Sequence, residues 1–456
     1  MKKSTASFTE GPLLPNIIKF TVPIILTSLL QQLFTTADLA VVGRFSEQSN
    51  LAVGAIGATG TIINLIINLF IGISVGVGVS VAHAYGRNDN KALHRIVHTA
   101  IPTAVFVGLI LTVIGILVAD PLLTLTKTPE ELHDYSVKYM QIYFTGMTFN
   151  MIYNFSASIL RAAGDSRSPL IYLAVAGVIN VILNLLFVIV FGMGVSGVAL
   201  ATAISQGISA VLMIIVLARR NDGCKLYLPK LRIYMPQFKK MLGIGIPAGI
   251  QGSIFSFSTT IIQASINDFG PEPLSGSAAS ANIESYVYMC LYAFNQSAVT
   301  FIGQNLGAKK YDRVIKSMWV CLASVSVVGL VGGALAYVFG PQLLTLFSIS
   351  PSNVEAYSHA MIRLGCICLP YFLCGIMDVT TGALRGMGSS TVPMIISIIG
   401  ICGFRLIWNF TVFKMYTTPF CLYISFPISW LITFAFQFIS FLYVYKKRKQ
   451  DLISYN

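Results

Sequence analysis

A single aspartate, Asp38, lies inside a long apolar run that extends from about residue 16 to residue 43. An ionisable side chain deep in such a run costs at least about 2.5–3.5 kcal/mol on membrane-insertion scales, so its presence favours a functional role. A carboxyl group held away from water can take up a proton or bind a cation. The structural alternative is a protonated Asp38 that only satisfies hydrogen bonds to its neighbours.

Three further polar residues lie in apolar runs of the same half of the chain. Asn180 and Asn184 are four residues apart, so they share one face of a helix, and Thr202 lies in the next run. With Asp38 they offer carboxylate, amide and hydroxyl oxygens, which are hard donors suited to H⁺ or Na⁺ rather than to a soft metal. Because buried amides also form hydrogen bonds between packed helices, packing stays an open alternative for Asn180 and Asn184.

The second half of the chain carries a different set of charged residues, Glu284, Asp378 and Arg405. The two acids are candidates for binding a cationic substrate or for carrying a proton, and a structural role is equally open. For Arg405 we expect a structural ion pair with one of the two acids, because breaking a buried pair is costly. Arg405 is also taken as almost the only base inside the apolar runs.

The composition indicates that helices in a lipid bilayer position these residues. The 456-residue chain is 55% hydrophobic and 10% charged, with a mean hydropathy of +0.76, whereas soluble domains carry about 25% charged residues. A helical span needs roughly 20 apolar residues. Hydropathy predicts twelve spans, near residues 16–43, 51–84, 96–119, 135–160, 169–191, 195–218, 238–267, 276–304, 315–339, 354–383, 392–412 and 419–445.

Most of the 30 Lys and Arg residues lie in alternate connections between these spans, at both chain ends and most densely between residues 219 and 240. The positive-inside rule places these connections and both termini in the cytoplasm. The rule also explains the formal charge of +13 without a nucleic-acid partner. We therefore expect a multi-pass protein of the cell membrane, with lipid as its main surroundings.

The two halves of the sequence repeat each other. Leu160–Pro169 resembles Leu384–Pro393, and Pro23 and Pro247 share the same offset of 224 residues, while Tyr85–Lys91 resembles Leu306–Asp312 at an offset of 221. Such parallel repeats of six spans are a known plan of transporters. The predicted fold is an all-α polytopic membrane protein with two pseudo-symmetric six-helix lobes. The predicted division is an N-lobe at 1–218, a cytoplasmic linker at 219–237 and a C-lobe at 238–456.

The repeat is not chemically symmetric, because the residue 224 positions after Asp38 is Ile262. This asymmetry argues against a purely architectural role for Asp38. The chain has no P-loop and no nucleophile elbow, and its eight cysteines lack zinc-site spacing. The sequence therefore predicts no enzyme, no cofactor and no metal beyond a possible Na⁺ at Asp38.

Taken together, these motifs resemble the multidrug and toxic compound extrusion (MATE) family over nearly the whole chain. The motifs are the first span through Asp38 to Arg44, the turns Leu160–Asp165 and Leu384–Gly388, and Gly303–Ala308. The resemblance implies two lobes in a V around a central cavity. It also implies export of cationic or amphipathic compounds, driven by H⁺ or Na⁺. We expect the protein to act as a monomer.

The resemblance also implies site residues. Family cation sites use an Asp in the first helix, an Asn-x-x-x-Asp/Asn pair in the fifth and a Thr in the sixth, which Asp38, Asn180, Asn184 and Thr202 match. A Glu that some members carry in the seventh helix is missing from Phe255–Phe257, and its role is absent or moved to Glu284.

Three alternatives stay open: a flippase of a related superfamily, a passive channel and, least favoured, a membrane enzyme, for which the sequence offers no reactive constellation of residues. For a lipid-intermediate flippase of a related superfamily, the resemblance implies extra helices and a strongly cationic cavity. This sequence has twelve predicted spans and almost no base inside them except Arg405, which disfavours a flippase. A passive channel would show a pore-lining ring or filter loop, which this sequence lacks.

Overall fold

A computed structural model describes residues 8–46, 49–126, 128–347 and 349–453, and this part of the chain is helical without strands. The first half contains α1 Leu13–Phe45, α2 Ser49–Gly86, α3 Asn90–Leu125, α4 Glu130–Thr145, α5 Met147–Ala162, α6 Arg167–Leu185 and α7 Gly194–Ala218. The second half contains α8 Met235–Asn267, α9 Pro271–Gly307, α10 Tyr311–Val338, α11 Gly340–Leu346, α12 Val354–Cys368, α13 Tyr371–Gly386, α14 Thr391–Ser397, α15 Phe404–Phe410, α16 Val412–Met415 and α17 Pro419–Ile453.

Each of the twelve predicted spans falls on a helical segment, and the prediction of an all-helical membrane protein is confirmed. Nine described helices are long and apolar enough to cross a bilayer, and α12 with α13 forms a tenth candidate bent by 44°. The remaining segments are α4 with α5, interrupted at Gly146, and α9. Helices dominate because an apolar segment in lipid must satisfy its backbone hydrogen bonds internally.

The repeat predicted from the sequence reappears in the backbone of two loop pairs. Gly164 after α5 and Gly388 after α13 both have positive φ, 88° and 84°, and their N–H groups donate to the carbonyls of Arg161 and Arg385. The same left-handed end occurs at Asn88 and Lys309, with φ of 55° and 59°. Glycine is favoured at such helix ends because it reaches positive φ without strain.

The described chain divides into two compact units. Unit 1 contains residues 22–249, and unit 2 contains residues 8–21 and 250 to the end of the described chain. The division runs through α1 and α8, next to Pro23 and Pro247, which each remove one backbone hydrogen bond from the helix interior. The predicted division into an N-lobe, a linker and a C-lobe stays a prediction.

The interior of unit 1 is a continuous apolar core around residues such as Val77, Ala100, Phe144 and Leu160. In unit 2, Ile283, Leu344 and Leu364 belong to a smaller core. Small residues allow the helices of each unit to approach closely, as is common in membrane bundles. In unit 2, for example, a side chain at Gly276 would overlap the backbone of Ala356.

A short segment ahead of α1, Phe8–Gly11, is fastened to unit 2. Phe8 is buried, and its ring stacks on Phe301 at 4.1 Å between centroids. Gln304 and Asn305 bond the backbone N–H and C=O of Phe8 at 3.3 Å each. Arg313 Nη2 donates to the carbonyls of Phe8, Glu10 and Gly11. We refer to Phe8–Gly11 as the N-terminal strap.

Candidate cation-binding site

Three helices of unit 1, α1, α6 and α7, position the four predicted residues. The close contact that sets their spacing is between Phe34 and Gly177, where a Cβ on the glycine would overlap the phenyl ring. Phe34 lies one turn before Asp38 on α1, and Gly177 lies one turn before Asn180 on α6. Because residues three or four apart share a helix face, this contact brings Asp38 opposite the two asparagines.

The structure joins all four side chains in one hydrogen-bonded group, which we call the Asp38 cluster. Asn184 Nδ2 donates to Asp38 Oδ1 at 2.5 Å and to Asn180 Oδ1 at 3.2 Å. Asn180 Nδ2 donates to Thr202 Oγ1 at 3.3 Å, and Thr202 Oγ1 donates to Asp38 Oδ2 at 3.4 Å. The contacts thus form a ring in which every residue touches two others.

Two side chains of the Asp38 cluster are buried, and the other two are partly exposed. Asn184 and Asn180 are 0% and 4% exposed, whereas Asp38 and Thr202 are half-buried. Asn184 Oδ1 is buried without a hydrogen-bond partner. A buried acceptor without a donor is unfavourable, and a bound cation is one way to satisfy it. The arrangement therefore provides oxygen ligands for a small hard cation. Alternatively, the Asp38 carboxylate can take up a proton.

Two local features surround this cluster. Directly after the last turn of α6, residues 186–190 form a π-helical turn, and such turns are frequent at functional sites. In the same unit, Tyr139 and Tyr143 on α4 stack with ring centroids 5.9 Å apart.

Glu284 of unit 2 pairs with Arg363 rather than with Arg405. Arg363 Nε and Nη2 donate to the two carboxylate oxygens at 2.7 and 2.9 Å, a bidentate contact. Arg363 Nη1 also donates to Ser277 Oγ at 2.7 Å, and the guanidinium lies 5.5 Å from the centroid of Tyr423. With both its oxygens engaged, Glu284 has the surroundings of a structural ion pair.

Asp378 on α13 has a different environment. Its Oδ2 is buried without a hydrogen-bond partner. Its backbone carbonyl accepts from Asn295 Nδ2 at 2.6 Å.

Arg405 on α15 donates from Nε to Ser429 Oγ at 2.9 Å. Within the described residues neither Asp378 nor Arg405 takes part in an ion pair, so the expected pairing of Arg405 with an acid is not formed.

The MatE family model matches this chain twice, over residues 23–186 and residues 247–411. The chain belongs to the MATE family. Because the two matches begin at Pro23 and Pro247, 224 residues apart, they coincide with the repeat that the sequence predicts. Membership of this family makes the chain a membrane transporter and not an enzyme.

Curated relatives cover most of the chain. The "Probable multidrug resistance protein YpnP" of Bacillus subtilis strain 168 is 27% identical over 395 residues, 86% of each chain. The "Probable multidrug resistance protein NorM" of Thermotoga maritima is 27% identical over 416 residues, 88% of this chain and 86% of that protein. The "Multidrug export protein MepA" of Staphylococcus haemolyticus is 23% identical and covers 86% of this chain and 85% of its own.

Solved transporter structures share the fold. A crystal structure of MATE in complex with MaL6 has a TM-score of 0.90 at 18% identity and covers 99% of this chain and 100% of its own. A MOP superfamily transporter from Pyrococcus furiosus has a TM-score of 0.88 at 18% identity, with 98% of each chain covered.

Sequence reasoning missed two buried arginines of this MATE chain. Arg363 is 8% exposed and Arg385 is 7% exposed, so Arg405 is not nearly alone as a base within the spans. The signal was present for Arg363, which is the one Lys or Arg in the apolar run 354–383. Arg385 lies just after the predicted span 354–383, where a connection between spans is expected. In the structure it lies in α13 and donates to Gln251 Oε1 at 2.7 Å.

Proposed function

We propose that this MATE transporter is a secondary active antiporter that exports cationic or amphipathic organic compounds in exchange for H⁺ or Na⁺. The observation that carries the proposal is the Asp38 cluster, a carboxyl group joined to two amides and a hydroxyl in unit 1. The names of the relatives, which describe multidrug resistance and multidrug export, support the substrate class.

The coupling chemistry follows from what Asp38 can bind. A proton on Asp38 Oδ2 gives a donor toward Thr202 Oγ1, while Asn184 Nδ2 continues to donate to Oδ1. A Na⁺ ion instead requires oxygens on all sides, so the amide of Asn184 must turn from its Nδ2 to its Oδ1, which now lacks a partner. Either cation neutralises the carboxylate and changes the contacts that hold α1 against α6 and α7.

Those changed contacts are the proposed link between ion and transport. In the absence of a cation, Asn184 and Thr202 hold α1 through charge-assisted hydrogen bonds to Asp38. Occupancy weakens or rearranges these bonds, and so biases α1 between two packings within unit 1. A ligand can shift such an equilibrium only by its difference in affinity for the two states.

The surroundings of the protein are part of the same proposal. The transporter acts as a monomer in the cell membrane with both termini in the cytoplasm, and it contacts lipid, the coupling ion and small organic cations. The basic residues between α7 and α8 support this orientation through the positive-inside rule. It uses no cofactor.

The test is efflux of a fluorescent organic cation from proteoliposomes, with pH and Na⁺ gradients imposed separately. We expect the unaltered protein to respond to one gradient and Asp38→Asn to lose that response. The matched control is Asp268→Asn, which makes the same change at an exposed carboxyl between α8 and α9. Gradient-driven efflux by Asp38→Asn at the rate of Asp268→Asn would refute the coupling role, and no response to either gradient would refute antiport.

A further inference from the structure

Arg405 is a buried cation without a counter-charge. Its side chain in unit 2 is 2% exposed and lies in the α14–α16 membrane segment. Its Nε donates to Ser429 Oγ at 2.9 Å, and within the described residues no carboxylate oxygen lies within 4.0 Å. Charged side chains at membrane depth are almost always paired or face a cavity, so an unpaired guanidinium calls for an explanation.

Aromatic rings surround the guanidinium. Its central carbon lies 4.0 Å from the ring centroid of Phe426, 5.8 Å from that of Trp430 and 6.0 Å from that of Phe255. The negative faces of aromatic rings attract a cation, so these rings stabilise the positive charge in an apolar interior. They do not replace an acceptor for its N–H groups, because a ring face is a weak hydrogen-bond partner.

Two donors at this place remain without acceptors. Arg405 Nη2 and Trp430 Nε1 are both buried and have no hydrogen-bond partner. Guanidinium and indole N–H groups can only donate, so a rotation of either side chain cannot turn them into acceptors. A single acceptor group that also carries a negative charge would satisfy both donors and balance Arg405.

We propose that Arg405 and Trp430 form a binding site for the carboxylate of an amphipathic compound. Two N–H donors match the two oxygens of a carboxylate, and the one positive charge balances a monoanion. A doubly charged phosphate would leave negative charge uncompensated among the aromatic rings. Such a site would allow the transporter to bind zwitterionic compounds as well as cations. Transport of these compounds rests on the proposed antiport function, whereas their binding can be tested without it.

The backbone before Arg405 has a feature that is common at binding sites. Residues 398–403 form a π-helical turn that ends two residues before Arg405. Such turns interrupt the regular hydrogen-bond ladder of a helix and are frequent at functional sites. The side chain that follows this turn is held by Ser429 and by aromatic rings, and not by an opposite charge.

The test uses two fluorescent rhodamine dyes that differ in one group, a free carboxylate in one and its methyl ester in the other. Binding to the purified full-length protein is measured by fluorescence anisotropy. Trp430→Phe keeps an aromatic ring and removes the indole N–H. Arg405→Met removes the positive charge. Arg405→Lys keeps the charge but lacks the planar set of N–H donors of a guanidinium. Trp408→Phe is the control, because Trp408 Nε1 already donates to the carbonyl of Cys421 at 2.9 Å.

We expect the Kd of the carboxylate dye to rise about fivefold in Trp430→Phe and more than about tenfold in Arg405→Met. Arg405→Lys falls between them. The Kd of the methyl ester changes less than about twofold in every variant, and Trp408→Phe does not distinguish the dyes.

The proposal is overturned if the unaltered protein does not bind the carboxylate dye, or if both dyes weaken equally in Trp430→Phe. Should Arg405→Met fail to fold, Trp430→Phe and Arg405→Lys decide the question. Failure of the unaltered protein to transport the ester in proteoliposomes would refute the proposed efflux function, while the anisotropy result would still decide the anion site.

Discussion

The phenyl ring of Phe34 on α1 lies in the space that a side chain at Gly177 on α6 would need. Each of the two residues is one helical turn from a member of the Asp38 cluster, Phe34 from Asp38 and Gly177 from Asn180. The distance between α1 and α6 at the cluster is therefore set by an apolar contact beside it. This relationship gives the first prediction.

We expect Gly177→Ala to separate α1 from α6 and to weaken the hydrogen bond between Asn184 and Asp38. Overpacking of this kind costs roughly 1–3 kcal/mol, which should lower the thermal unfolding midpoint in detergent and slow gradient-driven efflux. Gly57→Ala is the control, since nothing lies within 4 Å of a Cβ at Gly57. Equal unfolding midpoints for the two variants would contradict the prediction.

Thr202→Val should weaken ion coupling without removing it. The change deletes the hydroxyl that donates to Asp38 and leaves Asn180 Nδ2 without its acceptor. A lost hydrogen bond of this kind is worth roughly 0.5–1.5 kcal/mol, so the ion concentration for half-maximal efflux should shift about three- to tenfold. The measurement is efflux across a titration of pH or Na⁺.

Thr202→Ser is the matched variant for this titration, because it keeps the hydroxyl and loses only a methyl group. We expect it to stay near the unaltered protein. A serine variant as impaired as the valine variant would show that the methyl group, and hence packing, matters rather than the hydrogen bond.

Removing one partner of the Glu284–Arg363 pair should destabilise the protein strongly. Glu284→Gln leaves Arg363 as an uncompensated charge in a site where both residues are buried, which costs roughly 3–5 kcal/mol. The double variant Glu284→Gln, Arg363→Met should recover most of this loss. Thermal unfolding in detergent measures all three proteins.

An exposed ion pair provides the comparison for this series. Lys310 and Glu10 lie 3.4 Å apart with side-chain exposures of 40% and 80%. Exposed pairs contribute little because water screens them, so Glu10→Gln should leave the unfolding midpoint nearly unchanged. A double variant at Glu284 and Arg363 that is less stable than Glu284→Gln would contradict the structural role assigned to this pair.

The loop between α7 and α8 gives a pH prediction. Burial, with a smaller effect of the Asp222 carboxylate, raises the pKa of the Cys224 thiol from 9.0 to about 12. The thiolate is the reactive form, so at pH 9 alkylation of Cys224 should be slower by orders of magnitude than that of an ordinary thiol. Peptide-level mass spectrometry after alkylation measures the rate, and Asn221→Cys supplies an exposed thiol in the same loop.

The same shift has a defined effect on stability. A thiol whose folded pKa is raised favours the folded state while it is protonated, so this contribution is complete below pH 9 and is lost progressively between pH 9 and pH 12. Rapid alkylation of Cys224 at pH 9 in the folded protein, matching Asn221→Cys, would show that the thiol is accessible and its pKa unshifted.

The sequence predicted those features of the site that depend on one residue type or on a short spacing along one helix. Asp38 stands out because a charge in an apolar run is costly, and Asn180 and Asn184 share a face because they are one turn apart. The structure places these three with Thr202 in contact, as the sequence suggested, while their role in coupling stays a prediction. The sequence repeat likewise put Gly164 and Gly388 at equivalent positions, and in the structure both have positive φ.

Contacts between distant helices could not be predicted in the same way. Hydropathy identifies spans without saying which faces meet, so the partner of Glu284 was sought in Arg405 and found in Arg363. The packing of Phe34 on Gly177 depends on the rotation of two helices about their axes, which is fixed only by the assembled bundle. The burial of Arg385, just after the predicted span 354–383, could not be foreseen, because hydropathy gives span ends to within a few residues at best.

The N-terminal strap has a practical consequence for anyone handling this protein. Deleting residues through Phe8 would empty an aromatic niche and leave the amides of Gln304 and Asn305 without the backbone groups they now bond. Trimming of the residues ahead of α1 should therefore stop before Phe8.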